Sequence, residues 1–115
     1  MFNVKTVAIA LIVSISSFSS HAAMTYGFGN NSCGQWTKER ASKSMNSRYQ
    51  EVWVLGFITG TGLVLEASGK AQKVTDSDAA MAYIDNYCRE NPLSSIMEAS
   101  QMLVFELMPS KSYNQ

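Results

Sequence analysis

The two cysteines of this 115-residue chain, Cys33 and Cys88, place the strongest constraint on what it can fold into. Both follow an N-terminal stretch organised like an export signal, so they are expected to meet an oxidising environment and to join as one long-range disulfide. Closing a loop of about 55 residues contributes about 4 kcal/mol in the chain-entropy picture, a large share of the stability of a small domain. The bond is therefore expected to be needed for folding.

The export reading rests on residues 1–22. Lys5 is the lone Lys or Arg there, an apolar run extends from Val7 through Val13 to Ile15, and Ser16 to Ala22 form a small-residue exit with Ser20 and Ala22 preceding the cut. Cleavage near Ala22 leaves about 93 residues, enough for one domain but small for a core without a covalent aid. A retained anchor would need about 20 apolar residues, roughly twice what this run supplies, so no stable membrane anchor is expected and the location is read as periplasmic. His21, the single histidine, leaves with the leader, as does Lys5. The remaining cations and carboxylates are nearly balanced and evenly spread, which does not point to nucleic acid.

Beyond a flexible N-terminal arm at 23–31, the pattern predicts a helical domain over 32–109 and a loose tail at 110–115. Ser32 with Gln35 has the capping-box spacing for a first helix that sets Cys33, Trp36 and Arg40 on one side. A second helix, from about Ser47 to Ala67, is apolar around its whole circumference through Val52, Trp53, Val54, Leu55, Phe57 and Ile58. That predicts a central helix buried on most sides and passing between the other layers. Gly56 and Gly60 share one of its faces and predict close approach of another helix; Gly69 suits the stop. Thr75, Asp76 or Ser77 caps a third helix, with Thr75 and Asp78 at a variant box spacing. Met81, Ile84 and Cys88 form its inner stripe, with Tyr87 at the edge and Tyr83 turned away. Asn91-Pro92 ends it, and Ser95 with Glu98 opens a fourth, whose Leu93, Ile96, Met97, Ser100, Leu103, Val104 and Leu107 recur at three and four residues. Fold class is thus read as all-α, four helices around one disulfide.

Catalysis is not expected. Without His21 the mature chain has no histidine for a Ser-His-Asp or Cys-His centre, both cysteines are consumed, and no His/Cys cluster offers a zinc site. Asp76-x-Asp78 lacks calcium-loop order, and the glycines of the second helix are not followed by the Lys-Ser/Thr pair of a phosphate cradle. No catalytic, cofactor-binding or metal residue is assigned; the assigned positions are Cys33 and Cys88 as the disulfide. Asp78 and Asp85 are read as capping and surface carboxylates. Tyr49, Tyr83 and Tyr87 are weighed as a contact patch and read as tyrosines lying over a neighbouring helix.

The pattern Cys33-x-x-Trp36, Trp53-x-x-Gly56-Phe57-x-x-Gly60, Tyr83 through Leu93 with its Cys88-x-x-Asn91-Pro92 junction, and Ala99-x-x-x-Leu103 resembles small periplasmic helical proteins of two related kinds. These are the HdeA-like acid-stress chaperones and the Rap/Tai-type immunity proteins that protect bacteria from amidase effectors of type VI secretion. The resemblance spans about Cys33 to Leu107 and implies an HdeA-like fold and a non-catalytic protein-binding role. The partner would be a secreted effector or, for a chaperone, acid-unfolded clients, and a homodimer is compatible with either. An acid chaperone's tail is typically lysine-rich, whereas this one has Lys111 alone, so immunity is placed first. For the chaperone, protonating the nine carboxylates below about pH 3 would leave positive charge uncompensated and favour opening of apolar faces. An unassigned subunit or binding module is the third reading.

Overall fold

Polar side chains start all four helices of the computed structural model, which describes residues 24–109. Ser32 Oγ accepts from the Gln35 amide at 3.1 Å ahead of α1 (Cys33–Ser42), and Ser44 Oγ from Ser47 at 3.1 Å ahead of α2 (Met45–Ala67). Asp76 Oδ1 accepts from Ala79 at 2.7 Å ahead of α3 (Ser77–Glu90), and Ser95 Oγ from Glu98 at 3.1 Å ahead of α4 (Ile96–Leu107). Each bond satisfies one of the amides that a first helical turn leaves without an internal partner. At α4 the reciprocal bond is also present, Glu98 Oε2 accepting from the Ser95 amide at 2.8 Å, which completes the expected capping box. At α1 other acceptors serve: the Cys33 and Gly34 amides donate to the carbonyls of Ser94 and Pro92 at 2.7 and 3.0 Å. At α3 the cap is Asp76, and the Thr75–Asp78 spacing is not used.

The architecture is all-α, four helices stapled by Cys33–Cys88, with a lone antiparallel bridge between Ser32 and Ser95 as the extended pairing among the described residues. The two cysteine Cα atoms lie 4.6 Å apart, joining the first residue of α1 to the end of α3. α3 packs between α1 and α4, and α2 lies across α4 and α1. Cys33, Trp36, Val54, Ile84, Cys88, Ile96 and Ala99 form the sealed centre, closed by Ala80, Met81, Leu103 and Leu107. The expected export segment, 1–22, and the tail, 110–115, lie outside the described residues.

Five expectations are corrected. α2 is not buried on most sides: its enclosed residues are Ser47, Gln50 and Val54, all in its first half, while Val52, Leu63 and Val64 are each more than 60% exposed. Among the described residues no helix approaches Gly56 or Gly60, and a methyl at either position would meet nothing within 4 Å. Tyr83 is not turned away but half-buried against the core with Tyr87, whereas Leu93, expected on the inner stripe of α4, is almost fully exposed in the α3–α4 turn. Finally, the described part of the N-terminal arm is packed against the domain. Gly27–Asn30 makes a 3₁₀ turn against α2 and α4. Trp53 Nε1–H donates to the Tyr26 carbonyl at 2.8 Å, and the Ile96 amide donates to the Asn31 carbonyl at 2.9 Å. Two backbone acceptors thus fix a stretch whose glycines and asparagines alone suggested freedom.

Gly29 is buried against the Trp53 ring, and a methyl there would overlap the indole. Gly29→Ala is expected to cost about 1–3 kcal/mol through overpacking. Urea denaturation followed by tryptophan emission checks this: a lower midpoint with red-shifted native emission is the expected outcome, and an unchanged midpoint would contradict the packed strap.

Candidate functional site

The disulfide dictates what meets beside it. Trp36 lies three residues after Cys33, and Asp85 lies three residues before Cys88, so each is about one turn from the bond on the same face of its helix. The structure brings them together: the buried Trp36 indole N–H donates to Asp85 Oδ1 at 2.7 Å. One turn further along α1, Arg40 holds the same carboxylate through two donors, Nε to Oδ1 at 2.9 Å and Nη2 to Oδ2 at 2.6 Å. Its third donor, Nη1, reaches Glu51 Oε1 on α2 at 2.8 Å, an oxygen that also accepts from the Ser47 hydroxyl at 3.0 Å. The guanidinium carbon sits 5.7 Å from the centre of the Trp36 ring. One arginine therefore links α1, α2 and α3, using the planar fork that a lysine could not supply.

The electrostatics follow from the geometry. Burial alone would push the Asp85 carboxyl up, but the hydrogen bonds from Arg40 and Trp36, with the charges of Arg40 and Arg89, outweigh it and hold Asp85 below its ordinary 3.8. Arg40 is raised, first by its bonds to Asp85 and then, against the opposing effect of burial, by Glu51. On α3, burial raises the Tyr83 hydroxyl, helped by Glu106 and Tyr87. A half-buried Asp85 that accepts three hydrogen bonds corrects its reading as a surface carboxylate, and Asp78 stands apart from it, exposed in the first turn of α3.

Over this network opens a cleft of about 550 Å³, walled by Thr37, Ala41 and Lys43 from α1 and its turn, Ser44, Ser47, Arg48 and Glu51 from the start of α2, and Asp85 and Arg89 from α3. Lys43 adopts the left-handed conformation with φ 52°, which lets α1 reverse directly into α2. The Ser44 hydroxyl steadies that turn by donating to the Glu39 carboxylate. Among the described residues, Lys43, Arg48 and Arg89 have no carboxylate within ion-pair distance, because both cleft carboxylates face Arg40. Arg89 donates instead to Asn86 Oδ1 at 2.8 Å. The cleft is cationic at its rim, while its floor, with two carboxylates on one guanidinium, carries one net negative charge.

The tyrosines do not form one patch: Tyr83 and Tyr87 pack on the core, and Tyr49 stacks on Phe28 at 5.9 Å. No group of three metal-ligating side chains occurs among the described residues, and no described helix is long and apolar enough to cross a membrane. In the sequence Arg40 was placed only on a helix face and Asp85 only on the surface, and Glu51 was given no role. The available signal was the matched offset of Trp36 and Asp85 from the two ends of the disulfide.

Replacing Asp85 by Ala leaves the Trp36 indole and two Arg40 donors without their acceptor, and is expected to cost about 2 kcal/mol. Asp85→Asn, which keeps one acceptor, should cost less. Because the folded carboxyl is held low, its contribution is complete well above 3.8 and is lost as pH falls through that value and below it, where the unfolded chain binds more protons. Urea midpoints between pH 6 and pH 2.5 should therefore fall less steeply for Asp85→Asn than for the unaltered chain; parallel curves would contradict the assignment.

Comparison of the chain with protein-family models, with curated proteins and with solved structures finds no match.

Proposed function

We propose that this chain is a non-catalytic, exported protein-binding protein that acts outside the cytosol by sequestering a secreted protein, as the immunity-type resemblance implies. The observation that carries the reading is the cleft over Arg40. Its two carboxylates are committed to one guanidinium, and its rim presents Lys43, Arg48 and Arg89 without a carboxylate partner among the described residues. The sulfurs of Cys33 and Cys88 are joined, and the one histidine, His21, lies outside the described residues. Such a surface suits recognition of an acidic segment on a folded partner, since exposed cations without a carboxylate can pair with an incoming one and also speed encounter. The disulfide and the capped helix starts hold that surface in place before binding, which reduces the ordering cost of association.

The test is direct. An exported amidase effector encoded beside this gene should lyse cells that lack the protein and spare cells that express it. The purified pair should bind with an affinity that falls as salt rises. Reversing the rim with Lys43→Glu and Arg89→Glu should weaken binding about 10–100-fold with little change in stability, because both side chains are exposed. Unaltered affinity in that variant, or lysis despite expression, would overturn the proposal.

A second reading, the acid-stress chaperone, is favoured by one specific observation: the node joining three helices depends on Asp85 remaining ionised. On that reading, acidification to pH 2 loosens the packing reversibly while the disulfide keeps α1 and α3 together. Near-UV dichroism and apolar-dye binding from pH 7 to pH 2, with an aggregating client present, distinguish the two. Lost near-UV signal with client protection supports the chaperone, and client aggregation unaffected by the protein excludes it.

A further inference from the structure

Opposite charges three or four residues apart on a helix ordinarily pair with each other. Two such couples border the cleft, Arg48 with Glu51 on α2 and Asp85 with Arg89 on α3, and among the described residues neither closes to an ion pair. Arg40 of α1 takes both carboxylates instead, Glu51 through Nη1 and Asp85 through Nε and Nη2. The charges are thereby sorted into two layers. Lys43, Arg48 and Arg89 stand exposed at the rim on three different elements, and beneath them the two carboxylates on one guanidinium leave one net negative charge. That floor is open to the cleft, since the side chains of Glu51 and Asp85 keep 27% and 29% of their surface in solvent. It also has acceptor capacity to spare. A carboxylate has about four lone-pair sites; Glu51 receives its bonds from Arg40 and Ser47 on Oε1, and no described residue donates to its Oε2.

Resting on the proposed reading of this cleft as a protein-binding site, we infer that it selects a charge pattern: a segment of the partner in which a lysine or arginine is flanked on both sides by carboxylates. The cationic head seats against Glu51 and Asp85 at the floor, and the flanking carboxylates meet Lys43, Arg48 and Arg89 at the rim. A purely acidic segment would satisfy the rim but bring like charge against the floor, and a purely basic one would reach the floor only past three cations. The alternating segment meets opposite charge in both layers. In an extended chain, side chains two residues apart share a face at a spacing of about 7 Å, so acid, base and acid at alternate positions enter together. The cleft has room for them, its 550 Å³ lying within the range of about 300–1,000 Å³ found for ligand sites.

Titration of the oxidised, isotope-labelled protein, produced from its full reading frame, with end-blocked peptides tests this by amide chemical shifts. The probes are Glu-Ser-Lys-Ser-Glu, Glu-Ser-Ala-Ser-Glu and the reversed Lys-Ser-Glu-Ser-Lys. The first should bind about fivefold more tightly than either of the others, with shifts centred on Lys43, Arg48 and Arg89. Glu51→Gln keeps an oxygen to accept from Arg40 and Ser47 while removing the net charge of the floor, so it should bring the first two peptides to equal affinity with near-UV dichroism unchanged. If that variant misfolds, the ranking of the three peptides on the unaltered protein decides. An alanine peptide that binds as tightly as the lysine peptide would overturn the inference and leave the acidic-segment reading standing. No shift at the rim with any peptide up to about 5 mM would overturn both.

Discussion

Bonding Cys33 to Cys88 puts the first turn of α1 against the last turns of α3, and the neighbouring contacts are organised around that tether. Trp36 and Asp85 sit at matched offsets from the two sulfurs, so the indole N–H finds its carboxylate without further adjustment. Arg40, one turn on, extends the same line to Glu51. The α3–α4 junction adds backbone bonds at the same place. Asn91 and Pro92 stop α3, the chain reverses, and the carbonyls of Pro92 and Ser94 accept the amides of Gly34 and Cys33. A covalent bond, an ion pair and helix-terminus hydrogen bonds thus converge on α1, a helix with only two buried side chains of its own.

The hold on α2 is of a different kind. Its enclosed face consists of Ser47, Gln50 and Val54, and neither Oε1 nor Nε2 of Gln50 has a hydrogen-bond partner among the described residues. An unpaired buried polar group costs about 1–3 kcal/mol, so this face supplies less net stabilisation than three apolar residues would. Trp53, Leu55 and Ile58 add partial burial, and the second half is overlain from one side by the 70–75 connection, where Gln72 occupies the space that a methyl at Gly62 would need. α2 is a long helix resting on the stapled core, which explains how so many of its apolar residues stay in water.

Where local chemistry decided the outcome, the sequence was a good guide. The serine caps of α1 and α4, the proline stop of α3, the Met81–Ile84–Cys88 stripe and the disulfide itself each depend on residues close in the chain or on a single pairing. Errors arose where tertiary context decided. Continuous hydrophobicity in α2 is equally compatible with burial inside one chain and with a face left for another molecule, because periodicity reports apolar area and not what covers it. The arm was misread because its glycines signal backbone freedom, whereas Gly29 is small so that the Trp53 ring can lie on it. Asp85 was misread because a carboxylate between Ile84 and Asn86 has no sequence mark distinguishing a solvated position from one facing an arginine 45 residues away.

This arrangement also orders how the molecule can open. Among the described residues, the charged link from the stapled α1–α3 pair to α2 is Arg40–Glu51, and Arg40 is oriented for it by the two bonds it makes to Asp85. Protonating Asp85 removes the charge that orients the guanidinium, so the polar hold on α2 weakens while the covalent hold between α1 and α3 does not change. The element released first is then the one whose buried face is most polar and whose outer face is already apolar. A pH-dependent polar hold on α2 and an exposed apolar α2 face are therefore two consequences of one construction, in which two helices are tied by a bond that pH does not touch and the third is tied by one that it does.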